Sequence, residues 1–233
     1  MAEAKANIEV KLKDVRLSFC KVFRGQPRIQ DKTNKVIGWN FSTNFLLDKV
    51  KDADQIKVIR DAMIAVREAK WPGKKKVFAP DKKCLRDGDV KDDDGEMREA
   101  FEHSKGMMYL SANRPVELNE AGNGPAENPL QILDSRRGPD KKFPRLKERD
   151  GKIYSGAYVN CIVRVYAFDG TKGGYPDRIN CSLEAVQFLR HGEKFGAGSI
   201  DADNAFDDVG PEPDDDMEIG GKGKRDPLDD DEI

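Results

Sequence analysis

Residues 151–170, GKIYSGAYVNCIVRVYAFDG, carry the densest chemistry in the chain. Their positions alternate with a period of two. Ala157, Val159, Cys161, Val163, Val165 and Ala167 make one apolar row, and Tyr158, Asn160, Ile162, Arg164, Tyr166 and Phe168 make the other. A strand that is apolar on one row packs that row on a core and shows the other. The row left to show offers aromatic rings, an amide and a guanidinium, the groups that stack on bases and hold phosphates. The same rings also suit packing beneath a neighbouring loop, and one strand alone does not separate the two readings.

Directly before it, residues 135–152, SRRGPDKKFPRLKERDGK, set Arg136, Arg137, Lys141, Lys142, Arg145, Lys147, Arg149 and Lys152 around one ring, Phe143. Eight cations in 18 residues suit a flexible phosphate clamp; a solvated hairpin loop is the plain alternative. A shorter run, Lys74, Lys75 and Lys76, follows Trp71, which suits a further contact or a cap of a helix against the core. Parity and composition then nominate Tyr158, Arg164, Tyr166, Tyr109 and Phe143 for bases or sugars. Lys74, Lys75, Lys76, Arg136, Arg137, Lys141 and Lys142 are nominated for phosphates.

The elements that must position these groups read as follows. Residues 8–23 form a first strand whose apolar parity switches near Asp14, the mark of a β-bulge. Residues 25–35 read as a turn-rich basic loop with Arg28, Lys32 and Lys35. Residues 37–47 form a second strand, whose row Trp39, Phe41, Thr43, Phe45 and Leu47 suits a stacking platform or the core; the core is favoured because Asn40, Ser42 and Asn44 make the other row wholly polar. Residues 51–70 form the one helix, with Ile56, Ile59, Met63 and Val66 at helical spacing, Asp52 or Asp54 as its cap, and Pro72 and Gly73 as its stop. Residues 72–105 show no period, apart from weak support for a short helix over 95–103. Their acidic run at 87–96 fails the EF-hand pattern, because Lys91 and Asp92 stand where an oxygen ligand and glycine are required. Residues 107–113 form a short strand with Tyr109, and residues 130–134 another. Residues 179–190 form the last strand, with a parity switch near Ala185. Residues 192–198 close the folded part.

Charge is segregated. Residues 201–233 hold 14 acids and three bases, net −11, and the first 200 residues carry +9. Acids, glycine and proline dominate that tail, which cannot bury enough surface to order itself. The reading is therefore two parts: residues 1–200 as the binding domain with long basic loops, and residues 201–233 as a disordered acidic tail. A basic body with an acidic tail points to a polyanionic ligand and a tail that mimics it. No apolar run approaches the roughly 20 residues of a membrane span, and the first ten residues hold no apolar signal core. The expectation is a cytoplasmic protein with no membrane partner. Its four scattered cysteines are then reduced thiols. No phosphate-loop, nucleophile-elbow or dinucleotide motif occurs, and neither His103 nor His191 has a ligand at metal spacing. The reading is a binding protein, not an enzyme, with no cofactor.

Five or so strands, two of them long and bulged, with one inserted helix, suit an all-β OB-fold, a five-stranded Greek-key barrel. The segments GKIYSGAYVNCIVRVYAFDG and INCSLEAVQFLRHGEKFGAG resemble the signature half of a bacteriophage single-stranded-DNA-binding protein family, formerly a domain of unknown function. The early VRLSFCKVF, the WPG after the helix and the terminal LDDDEI match its layout. The resemblance spans most of the chain and is strongest over residues 151–198. It implies an OB-fold core, sequence-tolerant binding of single-stranded DNA, and work in phage DNA replication, recombination and repair in the host cytoplasm. It also implies contacts of the acidic tail with replication proteins such as a polymerase, helicase or primase. Two other readings stay open on the residues alone: an RNA-binding OB or cold-shock-like module, and a protein-interaction scaffold working through its tail. Double-stranded DNA binding lacks a recognition helix with a basic face.

Overall fold

The computed structural model describes residues 7–30, 33–74, 76–89 and 103–195. Lys32, Lys75, most of the acidic run at 87–96, the short helix expected over 95–103, and the acidic tail with its boundary at 200/201 lie outside the described residues.

Among the described residues, eight elements make the fold: β1 (Asn7–Gln30), β2 (Lys35–Asp48), α1 (Ala53–Lys70), β3 (Leu85–Asp87), β4 (Met107–Val116), β5 (Gln131–Leu133), β6 (Tyr158–Phe168) and β7 (Arg178–Arg190). The strand order is β3-β4-β2-β1-β6-β7-β5. Asn113 of β4 also pairs with Ser182 of β7, so β1, β2, β4, β7 and β6 close on one another. Closure leaves the five barrel strands without the open edge that a flat sheet would show. The result is the OB-type barrel with one helix.

The alternation in the sequence accounts for the core. On β6, Val159, Cys161, Val163 and Val165 are buried, as are Ile179, Cys181, Leu183 and Val186 on β7 and Phe41, Phe45 and Leu47 on β2. The bulge in β1 is present. Pairing with β6 jumps from Leu12↔Cys161 to Val15↔Val159, and Asp14 takes a φ of 50°. The extra residue lets Val10 and Leu12 before it, and Val15 and Leu17 after it, all face inward. A second jump, between Ala185 and Leu183 opposite β6, keeps both Leu183 and Val186 inside. Helix α1 buries Ile56, Ile59, Ala62 and Val66, packing mainly on β6 and β1. All four cysteines are free. Burial pushes the Cys20 thiol up to about 11 and raises Cys161 and Cys181 as well, so these thiols stay protonated.

The structure departs from the sequence reading at four places. Residues 25–30 are strand, not loop: Gln26↔Asn40 through Gln30↔Lys35 pair as a two-stranded arm. Its Pro27 misleads, but β1 has already parted from β6 beyond Arg16, and a strand with a free edge tolerates proline. Neither Asp52 nor Asp54 caps α1 through its side chain. The Asp52 carboxylate accepts instead from the Asp48 N–H at 2.9 Å and from Gln55 Nε2 at 3.0 Å. Within 72–105 the three residues Leu85–Asp87 form β3 beside β4, too short for any period to reveal. β4 itself runs on to Val116. Its extra residues are held by β2, where Phe41↔Arg114 and Trp39↔Val116 pair.

Candidate nucleic-acid interface

The outer row of β6 is flanked by β1 and β7, and cross-strand pairing arranges it in tiers. Tyr158 stands between Arg16 and Arg190, Ile162 between Lys11 and Ala185, Arg164 between Glu9 and Ser182, and Tyr166 between Asn7 and Asn180. From Tyr158 to Tyr166 the row runs about 26 Å at the rise of a β-strand.

At the first tier, the Arg190 guanidinium lies 3.4 Å from the centre of the Tyr158 ring, and Arg16 lies 5.6 Å from it. Arg16 is fixed by the carbonyls of Gly156, at 3.2 Å, and Glu193, at 2.9 Å, and by the Phe195 ring at 4.1 Å. One Tyr158 face is therefore covered by a cation. Its work in this structure is to hold arginines in place, and it does not offer two free faces to bases.

At the second tier the basic clamp joins the strand. β5 pairs in parallel with β7 over Gln131↔Ala185 to Leu133↔Gln187, and the chain beyond it turns back as a hairpin. Asp134 N–H donates to the Pro144 carbonyl at 2.9 Å, and Gly138 N–H donates to that of Lys142 at 2.8 Å. Lys152 anchors the base through Asp134 at 2.6 Å and holds that carboxyl below its usual range. Arg137 stacks on Phe143 at 4.3 Å. Phe143 in turn lines a groove of about 290 Å³ together with Lys11, Lys13, Asn160, Ile162 and Gln187. Clamp and strand thus share one groove.

Beyond the exposed Arg164, Tyr166 lines a second groove of about 270 Å³ with Arg114, Val116, Glu127 and Ser182. Arg114 donates to both oxygens of Glu184, at 3.0 and 3.1 Å. Tyr166 is half-buried, and burial raises its phenol pKa against the opposing effect of a hydrogen bond with Asn180.

Arg136, Lys141 and Lys142 are exposed along the clamp. Two other candidates do not join this face. Tyr109 is only 7% exposed, flanked by Leu46 of β2 and Arg86 of β3, so its ring is not a surface platform. Lys76 is ion-paired with Asp177 and lies over the Trp71 ring at 4.5 Å. It lines a separate cavity of about 460 Å³ with Arg60, Arg67, Lys83 and Arg86. Lys74 is exposed beside it, and Trp71 is buried against Phe78, the capping alternative.

Sequence reasoning missed Arg16, Arg190, Lys11 and Lys13. Parity could have found two of them. Lys11 lies between inward Val10 and Leu12, and Arg16 between inward Val15 and Leu17, so both point outward once the bulge is counted. Arg190 gave no such signal, because the pairing with β6 slips again between Val159↔Phe188 and Tyr158↔Arg190.

The family profile described as "Enterobacter phage Enc34, ssDNA-binding protein" matches residues 8–218. Protein p50 of Acyrthosiphon pisum secondary endosymbiont phage 1 is 31% identical over 212 residues, 87% of this chain and 94% of that protein. The single-stranded DNA-binding protein from bacteriophage Enc34 superposes with a TM-score of 0.56 at 20% identity, over 85% of this chain and 90% of its own. The same protein in complex with ssDNA gives 0.55 at 20% identity, over 81% and 89%. These superpositions carry the barrel fold. The profile match runs nearly end to end, and by it the chain belongs to the Enc34 phage ssDNA-binding protein family.

Proposed function

We propose that the protein binds single-stranded DNA with little sequence preference, laying the strand along the outer row of β6 under the basic clamp. The observation that carries this reading is the groove in which Phe143 of the clamp meets Asn160 and Ile162 of β6 between Lys11 and Lys13. Cations there displace counterions from phosphates, so affinity falls by roughly 0.7 log units per log of salt for each phosphate neutralised. Rings add about 1–3 kcal/mol per stacked base, whichever base it is. Family membership supports the reading, since the Enc34 protein has been solved with ssDNA bound.

The role that follows is binding, not catalysis, in phage DNA replication, recombination and repair within the host cytoplasm. Residues 201–233, with 14 acids, form the second part of this reading. They contact replication proteins and, tethered at high effective concentration, compete with DNA for the basic body.

The reading is tested by fluorescence titration of an oligo-dT strand, its RNA counterpart and a duplex, across a salt series, with the full chain and with a chain ending at residue 200. Single strands of DNA are expected to bind best, and the shortened chain to bind more tightly at low salt. Failure of the shortened chain to bind oligo-dT would sink the DNA reading. Equal affinity of the two chains would sink the competition.

A further inference from the structure

The bulge residue Asp14 is ion-paired with two cations, Arg190 and Lys51. One of its carboxylate oxygens accepts from Arg190 Nη2 at 2.8 Å, and the other accepts from Lys51 Nζ at 3.2 Å. Arg16 lies across the Tyr158 ring from this group and gives its hydrogens to two carbonyls, which satisfy the donors without cancelling the charge. Two cations, Arg190 and Lys51, therefore hold one carboxylate, and Arg16 stands beside the same Tyr158 ring as Arg190. The site is open to solvent: the side chains of Asp14, Arg190 and Lys51 are 37%, 48% and 60% exposed. It also abuts the groove, because the Asp14 N–H donates to Asn160 Oδ1 at 3.1 Å and Asn160 lines the groove floor.

A carboxylate whose two oxygens bridge two cations occupies them as the two free oxygens of a phosphodiester would. We propose that Arg16, Lys51 and Arg190 form a phosphate subsite at the Tyr158 end of β6, and that Asp14 is the resident anion which a backbone phosphate of the bound strand displaces. The inference rests on the single-stranded-DNA reading and names the place where the strand is gripped. The carboxylate keeps the cations in position before DNA arrives and lowers the net gain when it does, since each phosphate entering must release an internal partner. The bulge suits a resident anion of this kind. Asp14 holds its φ of 50° in the left-handed region, which aspartate and asparagine enter more readily than most residues.

Asp14→Asn tests this without disturbing the bulge, because asparagine enters the left-handed region as readily as aspartate. The full-length variant is expected to bind oligo-dT with a log K–log salt slope steeper by about 0.7, one phosphate's worth, which is about fivefold tighter than wild type at 0.1 M salt when the two are matched at 1 M. In an Arg190→Gln background the same change should bring a smaller gain, because of the two cations Asp14 holds only Lys51 remains. A merely structural role for Asp14 would move the melting temperature but not the slope. If wild type binds and Asp14→Asn leaves slope and affinity unchanged, or if the gain persists undiminished without Arg190, the subsite is wrong while the DNA reading stands. If wild type does not bind oligo-dT, both fall together.

Discussion

A chain carrying Arg16→Ala and Arg190→Ala will bind oligo-dT with a salt slope shallower by about 1.4, which is two phosphates at 0.7 each. Extrapolated from a 1 M reference, that is a loss of about 25-fold at 0.1 M salt. The two arginines flank Tyr158, with Arg190 at 3.4 Å and Arg16 at 5.6 Å, and their charge stands beside the groove shared by the clamp and β6. Cations that neutralise phosphates contribute to affinity mainly by releasing counterions, so the slope is the direct readout. The paired Arg→Lys variant keeps both charges but loses the planar stacking on the ring. It should restore the slope while recovering only part of the affinity. Lys76→Ala supplies the contrast. Its ammonium is committed to Asp177 and to the Trp71 ring, so the slope should change little. A fall in affinity with an unchanged slope in the double alanine variant would mean that the arginines act through the fold and not on phosphate.

That contrast shows how far the sequence could be read. The faces of β6 were legible because each buried position alternates with a shown one, and the closed barrel leaves no freedom to exchange them. The bulge at Asp14 was legible for the same reason, as a break in parity between Leu12 and Val15. The partners of each shown residue were not. Arg190 reaches Asp14 across 176 positions of sequence, and a register slip at the end of β7 decides which side it takes. Tyr109 misled because the strand that shields it, Leu85–Asp87, has only three residues and so no period to detect. Lys76 misled because its countercharge, Asp177, lies 101 positions away. Composition finds charged runs, but whether a given charge is free for a ligand depends on closure of the barrel. The clamp sits between these cases. Its cations were plain in the sequence, whereas its position over Ile162 follows from the parallel β5–β7 pair, which fixes where the hairpin folds back.

Gly156→Ala is expected to be the most destabilising small substitution near the interface. Gly156 has a φ of 113°, outside even the left-handed well that asparagine can use, so a side chain there costs about 1–3 kcal/mol in backbone strain. A Cβ would also stand 1.9 Å from the Glu193 carbonyl oxygen and 3.1 Å from the Lys194 Cα. Neither is a flexible side-chain tip that could move aside. The chain at 193–195 would have to shift, and it is tied down by Phe195 N–H to the Ser155 carbonyl at 2.9 Å and by Arg16 to the Glu193 carbonyl at 2.9 Å. Gly156 is itself tied, through its N–H to the Leu17 carbonyl at 2.8 Å. Forced overpacking of this kind adds about 1–3 kcal/mol. Together the two terms predict a loss of roughly 2–6 kcal/mol, which lowers the melting temperature by about 2–4 °C per kcal/mol in a domain of this size. Gly151→Ala is the control. Gly151 also has a positive φ, 64°, but nothing lies within 4 Å of its added Cβ, so only the left-handed penalty of about 1–2 kcal/mol applies. Thermal denaturation of the two variants side by side decides the matter: equal melting temperatures would mean that the crossing of 193–195 over Gly156 is loose. If the crossing is as tight as its contacts imply, Gly156→Ala will also weaken oligo-dT binding below its melting temperature, because the carbonyls that hold Arg16 beside Tyr158 belong to Gly156 and Glu193 themselves.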